Sequence, residues 1–174
     1  MAGILDKLPS NYNTLSPTSF KFETVRLPHT TYWCQTANVP DLSFGSVTIP
    51  NPLRDYPIHG NQLELGTFDI GFVVDEDMSN YLEIYNWMRE LSSSYTTDDY
   101  KRIKVDPSPD RGVVSDGVLT ILTNNMNANK EVHFADMFPT SLGSISFSSS
   151  SDTIDAILCD VSFTYSEFRI ETVI

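Results

Sequence analysis

Histidines, cysteines and clustered carboxylates are the side chains here that could hold a metal, act as nucleophiles or move protons. His29, His59 and His133 are spread over two loops and one strand, and none has a partner at metal-ligand spacing. They read as ordinary surface or hydrogen-bonded histidines. Asp75-Glu76-Asp77, with Ser79 and Asn80 behind it, has the acidic opening of a calcium loop. Such a loop needs glycine at its sixth position and glutamate at its twelfth, where this chain has Asn80 and Asn86. The cluster reads better as a helix cap. The sequence contains no glycine-rich phosphate loop and no G-x-S-x-G elbow. Cys34 and Cys159 are too few for a disulfide framework. Both fall inside predicted strands as packed free thiols, with one cross-sheet bridge as the alternative. Without a convergent acid–base or metal set, the expectation is no catalysis, no cofactor and no metal.

The totals fit that expectation. A chain of 174 residues with 40% apolar and 20% charged residues suits one domain with a full core. Its net charge of −12 repels a phosphate backbone, which argues against gripping nucleic acid. The same charge suits a surface that DNA slides past, or serves solubility alone. No apolar run approaches the ~20 residues of a spanning helix, so membrane insertion is not expected. The start, Met1 to Lys7, lacks the basic and apolar regions of a signal peptide, which points to a protein made and kept in a cytosol.

The positioning elements are mostly strands. Residues 1–17 read as an N-terminal arm with Pro9 and Pro17, and residues 18–174 as one domain. Phe20, Phe22 and Thr24 share one strand face, and Thr31 to Val39 alternate as a second strand that Pro40 stops. Val47 and Ile49 mark a short strand. Residues 50–62, with three prolines and one glycine, read as a long loop whose Leu53, Tyr56 and Ile58 need cover. Phe68, Ile70, Phe72 and Val74 give the clearest strand. A helix is expected over about 77–91, capped by Asp77, with Met78, Tyr81, Leu82, Ile84, Tyr85, Trp87, Met88 and Leu91 on its apolar face. Residues 92–112 read as a polar loop, and 113–123 and 130–136 as strands joined by an Asn-rich turn. Phe138 to Gly143 reads as a corner. The last strand alternates from Ile157 to Tyr165, then changes phase to Phe168 and Ile170, which predicts a β-bulge.

Three stretches, in order, carry a family resemblance: Ala37-Asn38-Val39-Pro40; Phe68 to Glu76 running into a helix with Trp87; and Phe138 to Phe147 followed by one long strand. Across residues 19–171 the chain resembles the tail tube proteins of contractile-tailed bacteriophages, to which the type VI secretion tube protein is related. The resemblance implies a mainly β fold: an antiparallel barrel or packed sandwich with one flanking helix. It implies rings, with six copies expected, stacked into a virion tail tube through which DNA leaves without specific binding. Sheath and baseplate or neck proteins would be partners. Leu53, Tyr56 and Ile58 would reach an adjacent subunit or ring, and Phe168 and Ile170 would add contacts. Asp69, Asp160, Ser162 and Thr164 would offer a polar face, a candidate channel lining.

The arm and the 92–112 segment exceed what a minimal tube subunit needs. They leave open a tube initiator or adaptor at the baseplate or neck end. A receptor- or carbohydrate-binding β-sandwich of a virion is a further alternative, supported by Tyr56, Tyr95 and Tyr100 in predicted loops.

Overall fold

The computed structural model describes residues 12–92, 113–149 and 155–173. Residues 1–11 of the predicted arm and 93–112 of the predicted polar loop, with Tyr95 and Tyr100, lie outside the described residues. The elements run β1 (Phe20–Thr24), α1 (Pro28–Trp33), β2 (Cys34–Ala37), β3 (Leu42–Ile49), β4 (Tyr56–Leu65), β5 (Phe68–Val73), α2 (Ser79–Leu91), β6 (Ser115–Leu122), β7 (Ala128–Leu142), β8 (Leu158–Thr164) and β9 (Glu167–Thr172). The fold is mainly antiparallel β, as expected, in two packed sheets that do not close into a barrel.

Sheet one has the order β1-β6-β7-β9, and sheet two the order β7-β8-β5-β2. β7 serves both. Its first half pairs with β6 and β9, and Phe138 to Leu142 pair with β8. The switch sits at Asp136, whose φ is 53° and whose N–H donates to Asp116 Oδ1 at 3.1 Å. A strand that changes sheets at such a bend makes the corner of a sandwich. The corner predicted at 138–143 therefore comes two residues earlier. Pro139 falls where β7 has a partner on one side only, so its missing N–H leaves no ladder bond unmade.

Alternation on β5 buries Phe68, Ile70 and Phe72 as predicted. They meet Phe22, Leu119, Val132, Phe134, Val161 and Phe163 between the sheets. Phe68 and Phe134 stack with centroids 4.3 Å apart. Each such side chain contributes about 1.5–3 kcal/mol by leaving water. α2 closes one side of the sandwich with Ile84 and Trp87, and Trp87 Nε1 donates to the Val113 carbonyl at 3.2 Å.

Several expectations are corrected. Residues 28–33 form helix α1 and not the start of a strand, so two helices are described where one was expected. Pro28 presets the first helical φ, and Thr30 is buried against α2 with its hydroxyl donating to the Asn80 carbonyl. α2 starts at Ser79, and Asp77 does not cap it. Met78 takes the N-cap in the left-handed region, and the Asn80 side chain ties the junction instead, bonding the Val73 carbonyl and the amide of Asp75. The predicted loop 50–62 is irregular only to residue 55, because β4 begins at Tyr56 and pairs with β3. The phase change after Tyr165 is a break between β8 and β9 that carries the chain from sheet two to sheet one. Cys34 and Cys159 are both free. They flank Phe72 on opposite neighbouring strands, roughly 9.5 Å apart at two strand spacings, which is beyond disulfide reach.

Candidate assembly surfaces

The β3–β4 hairpin is a two-stranded ribbon separate from both sheets, and almost every residue in it is exposed. A lone ribbon has no core of its own and is marginal in water. Yet it carries nine large apolar side chains: Leu42, Phe44, Val47, Ile49, Leu53, Tyr56, Ile58, Leu63 and Leu65. Register places Leu42 and Phe44 opposite Leu65 and Leu63 near the base. Towards the tip, Val47 and Ile49 oppose Ile58 and Tyr56. Counting by twos along β3 puts these two groups on opposite faces of the ribbon. The changeover lies where Gly60 crosses Gly45, so close that a Cβ on Gly60 would strike the Gly45 carbonyl. Leu53 stands at the tip, 97% exposed. The ribbon holds one cation, Arg54, and two carboxylates, Asp55 and Glu64, so it is nearly neutral in an acidic chain.

The three hairpin residues singled out from sequence are thus brought together with six that were not. Alternation at Leu42/Phe44 and Leu63/Leu65 was the available signal.

Two short connections, Asn38 to Asp41 and Gly66-Thr67, join this ribbon to the sandwich. Asn38 clamps them, accepting from the Asp69 amide at 2.7 Å and donating to the Thr67 carbonyl at 3.3 Å. Gly66 N–H donates to the Asp41 carbonyl at 3.0 Å, and the buried Tyr165 hydroxyl donates to the Gly66 carbonyl at 2.9 Å. Burial, and Asp41 nearby, push the Tyr165 phenol up.

Sheet one ends in β1 and β9. Leu122 N–H donates to the Ser19 carbonyl, so Ser19, Lys21 and Glu23 face β6, while the backbone groups of Phe20, Phe22 and Thr24 point outward. Val173 N–H donates to the Asn129 carbonyl, which by the same alternation turns the backbone of Phe168, Ile170 and Thr172 away from β7. No described strand pairs with either outer side. Ile170 is 57% exposed, whereas Phe168 is half-buried against Phe134 and Tyr165. Beside β1 lies a recess of about 430 Å³ lined by Phe20, Lys21, Phe22, Pro28, Thr31, Tyr32 and Cys34.

Each sheet also has a polar outer face. Asp69, Asp160, Ser162 and Thr164 do share one, on sheet two. There a Cβ on Gly71 would crowd Thr36 Oγ1 and Asp160 Oδ1. The outer face of sheet one carries Lys21 and Arg169 against Glu23, Asp116, Glu131, Glu167 and Glu171, with His133 among them, 3.2 Å from Glu131. Among the described residues no three metal-ligating side chains converge.

α1 is braced to α2 by polar contacts. His29 Nδ1 lies 2.5 Å from Glu83 Oε1, and that carboxylate raises the imidazole pKa. Arg26 stacks 4.6 Å over the Trp87 ring and pairs with Glu90, while burial pulls its pKa down.

Comparison with known proteins agrees with this architecture. The tail tube terminator protein of Enterobacteria phage T4 is 24% identical over 169 residues, covering 92% of this chain and 90% of that one. The anti-feeding prophage tube-terminating cap shares the fold at a TM-score of 0.66, with 15% identity, 99% of this chain and 100% of that one covered. A chain of the sheath–tube complex of the PVC extracellular contractile injection system does so at 0.63, with 12% identity and 93% and 94% covered. The sequence profile of the phage tail tube protein family matches residues 7–171, nearly the whole chain, and the protein belongs to that family.

Proposed function

We propose that this chain is a structural, non-catalytic subunit that closes into a six-membered ring and terminates the tube of a contractile tail. The observation that carries the ring is the pair of free edges on sheet one. β1 and β9 run in opposite senses across four antiparallel strands. Head-to-tail copies can therefore pair β9 on β1 antiparallel without a break, and a head-to-tail contact that closes makes a ring. Ile170 then lies on the same sheet face as Phe20 and Phe22, beside that recess. Sheet two offers no comparable joint. β2 is only four residues long and the free side of β7 carries Pro139, both of them edge-blunting devices.

A six-membered ring is compatible with the width of sheet one. Four strands from each of six copies, about 4.8 Å apart, give a cylinder roughly 37 Å across between backbones, and about 27 Å after side chains. In this arrangement the acidic face of sheet one lines the channel. Asp69, Asp160, Ser162 and Thr164 then lie on the outer layer, with α2, where a sheath would pass. The hairpin, with Leu53, Tyr56 and Ile58, docks on the last ring of the tube. The terminal position rests on the near-full-length similarity to a tube terminator. DNA passes through the ring in the virion, after assembly in the host cytoplasm.

Negative-stain microscopy and native mass spectrometry of the purified protein should give six-copy rings that bind tube ends and do not grow. A protein that stays monomeric beside tube ends overturns the proposal. A second reading, the repeating subunit of the tube itself, draws on the fold likeness to a sheath–tube complex. It predicts that the same rings stack on themselves into long tubes.

A further inference from the structure

We infer that Tyr165 is a positioning residue that couples ring closure at β9 to the angle of the β3–β4 hairpin. The inference rests on the ring proposed above. Tyr165 is 6% exposed at the break between β8 and β9, the point where the chain changes sheets. Its ring lies edge-on to Phe134 and Phe168, with centroids 5.1 and 5.8 Å away. Phe168 belongs to β9, the strand whose outer backbone would take the neighbouring subunit. At its other end the Tyr165 hydroxyl holds the Gly66 carbonyl at the hairpin base. One side chain therefore joins the ring-closing edge to the docking element.

The hairpin needs such a fixing point. Two short connections are its covalent links to the sandwich, and its own faces touch no core. Gly66 has no side chain to anchor it, and a Cβ there would have to displace the Asp41 carboxylate. The Asn38 clamp grips Thr67 and Asp69, on the sandwich side of Gly66. Tyr165 is thus the side chain seen to hold the hairpin side of the junction. In a free subunit β9 is an open edge, and edge strands fray at low cost. When a neighbour pairs with β9, Phe168 is fixed, the Tyr165 ring loses freedom, and the Gly66 bond is made more of the time. Ring closure shifts the hairpin towards its docking angle by biasing a junction already present in the subunit. Docking before closure is thereby disfavoured.

Hydrogen exchange read by mass spectrometry tests this on the full-length protein, free and as rings. In wild type, closure should slow exchange in peptides spanning Leu63 to Phe68 about fivefold, the worth of one neutral hydrogen bond. Tyr165→Phe keeps the ring packing and removes the hydroxyl. Its rings should form normally, with β5 and β8 protected as in wild type, but exchange at the hairpin base should not slow and tube-end binding should weaken. Phe168→Leu keeps the hydroxyl bond and loosens the link to β9, and should also abolish the closure-dependent slowing. Slowing that persists in both variants, or wild-type rings whose hairpin base exchanges as fast as in the free subunit, overturns the coupling. Absence of wild-type rings would instead refute the proposed function.

Discussion

Replacing Ile170 with proline separates the ring joint from the fold. The Ile170 amide points away from β7, so proline there removes a donor the subunit does not use. Arg169, the preceding residue, is already extended, which is what proline asks of its neighbour. In a ring the same change deletes one hydrogen bond per joint and leaves a carbonyl on the neighbouring β1 unpaired. That costs about 1–2 kcal/mol per joint. Six joints form as six copies associate, and the association constant scales as the inverse fifth power of the midpoint concentration. Each joint's loss is therefore felt 1.2-fold, and the midpoint rises about eightfold to sixtyfold. Sedimentation velocity across a dilution series measures that midpoint, and circular dichroism on heating measures the subunit. Arg169→Pro is the contrast, because its amide faces His133 inside the subunit and its loss should lower the melting temperature. Assembly of Ile170→Pro at wild-type concentration would refute the β1–β9 joint.

The hairpin gives a second prediction: Leu53, Tyr56 and Ile58 changed together to Ser leave the melting temperature and ring formation near wild type, and abolish co-sedimentation with tubes. The α1–α2 brace gives a third. Folded-state His29 titrates above its ordinary 6.5, so its stabilisation is complete below 6.5 and is lost as pH rises through the raised value. The urea midpoint of wild type relative to Glu83→Gln should shrink over that window. A fourth concerns the channel. In assembled rings, biotin placed at Glu171→Cys should be hidden from streptavidin and at Ser162→Cys reachable; the reverse pattern would put sheet two on the channel. The native thiols interfere little, since burial raises Cys34 to about 11 and also lifts Cys159.

Where burial is settled inside the chain, the sequence was readable. Phe68, Ile70 and Phe72 alternate because the facing sheet buries one side of β5, and Ile84 and Trp87 follow helical spacing because one face of α2 meets the sandwich. The hairpin failed that test. Pro57 and Gly60 read as breakers, yet each strand of a lone ribbon is an edge that tolerates them, while Pro50 and Pro52 do fall in the irregular connection before β4. Among the described residues, nothing packs against the hairpin's alternating apolar side chains. α1 was hidden by alternation from Thr31 to Val39, although Pro28 at a helix start was a usable sign. The switch of β7 at Asp136 left no trace, since a single aspartate at positive φ is common in turns. The ring edges were invisible for a different reason. Phe168 and Ile170 could be picked as apolar, but only the order of strands in sheet one reveals that β9 and β1 are its ends.

That order also gives the acidity a place. The hairpin is nearly neutral and apolar, as befits a surface meant to stick. The outer face of sheet one sets five carboxylates against two cations, as befits a surface meant not to. Ionic screening at about 0.15 M salt reduces charge effects beyond roughly 8 Å, so in the proposed bore, about 27 Å wide, the repulsion would hug the wall. A duplex on the axis would feel little of it, and would be pushed back only on drifting towards Glu131 or Glu171. A basic wall would fail here, because each phosphate it held would have to be released before DNA could advance, and counterion release makes many such contacts strong together. Arg169 does not defeat this design. Glu167 holds its guanidinium through two hydrogen bonds of 2.9 and 3.2 Å, so the one arginine on that face is already occupied by its own strand.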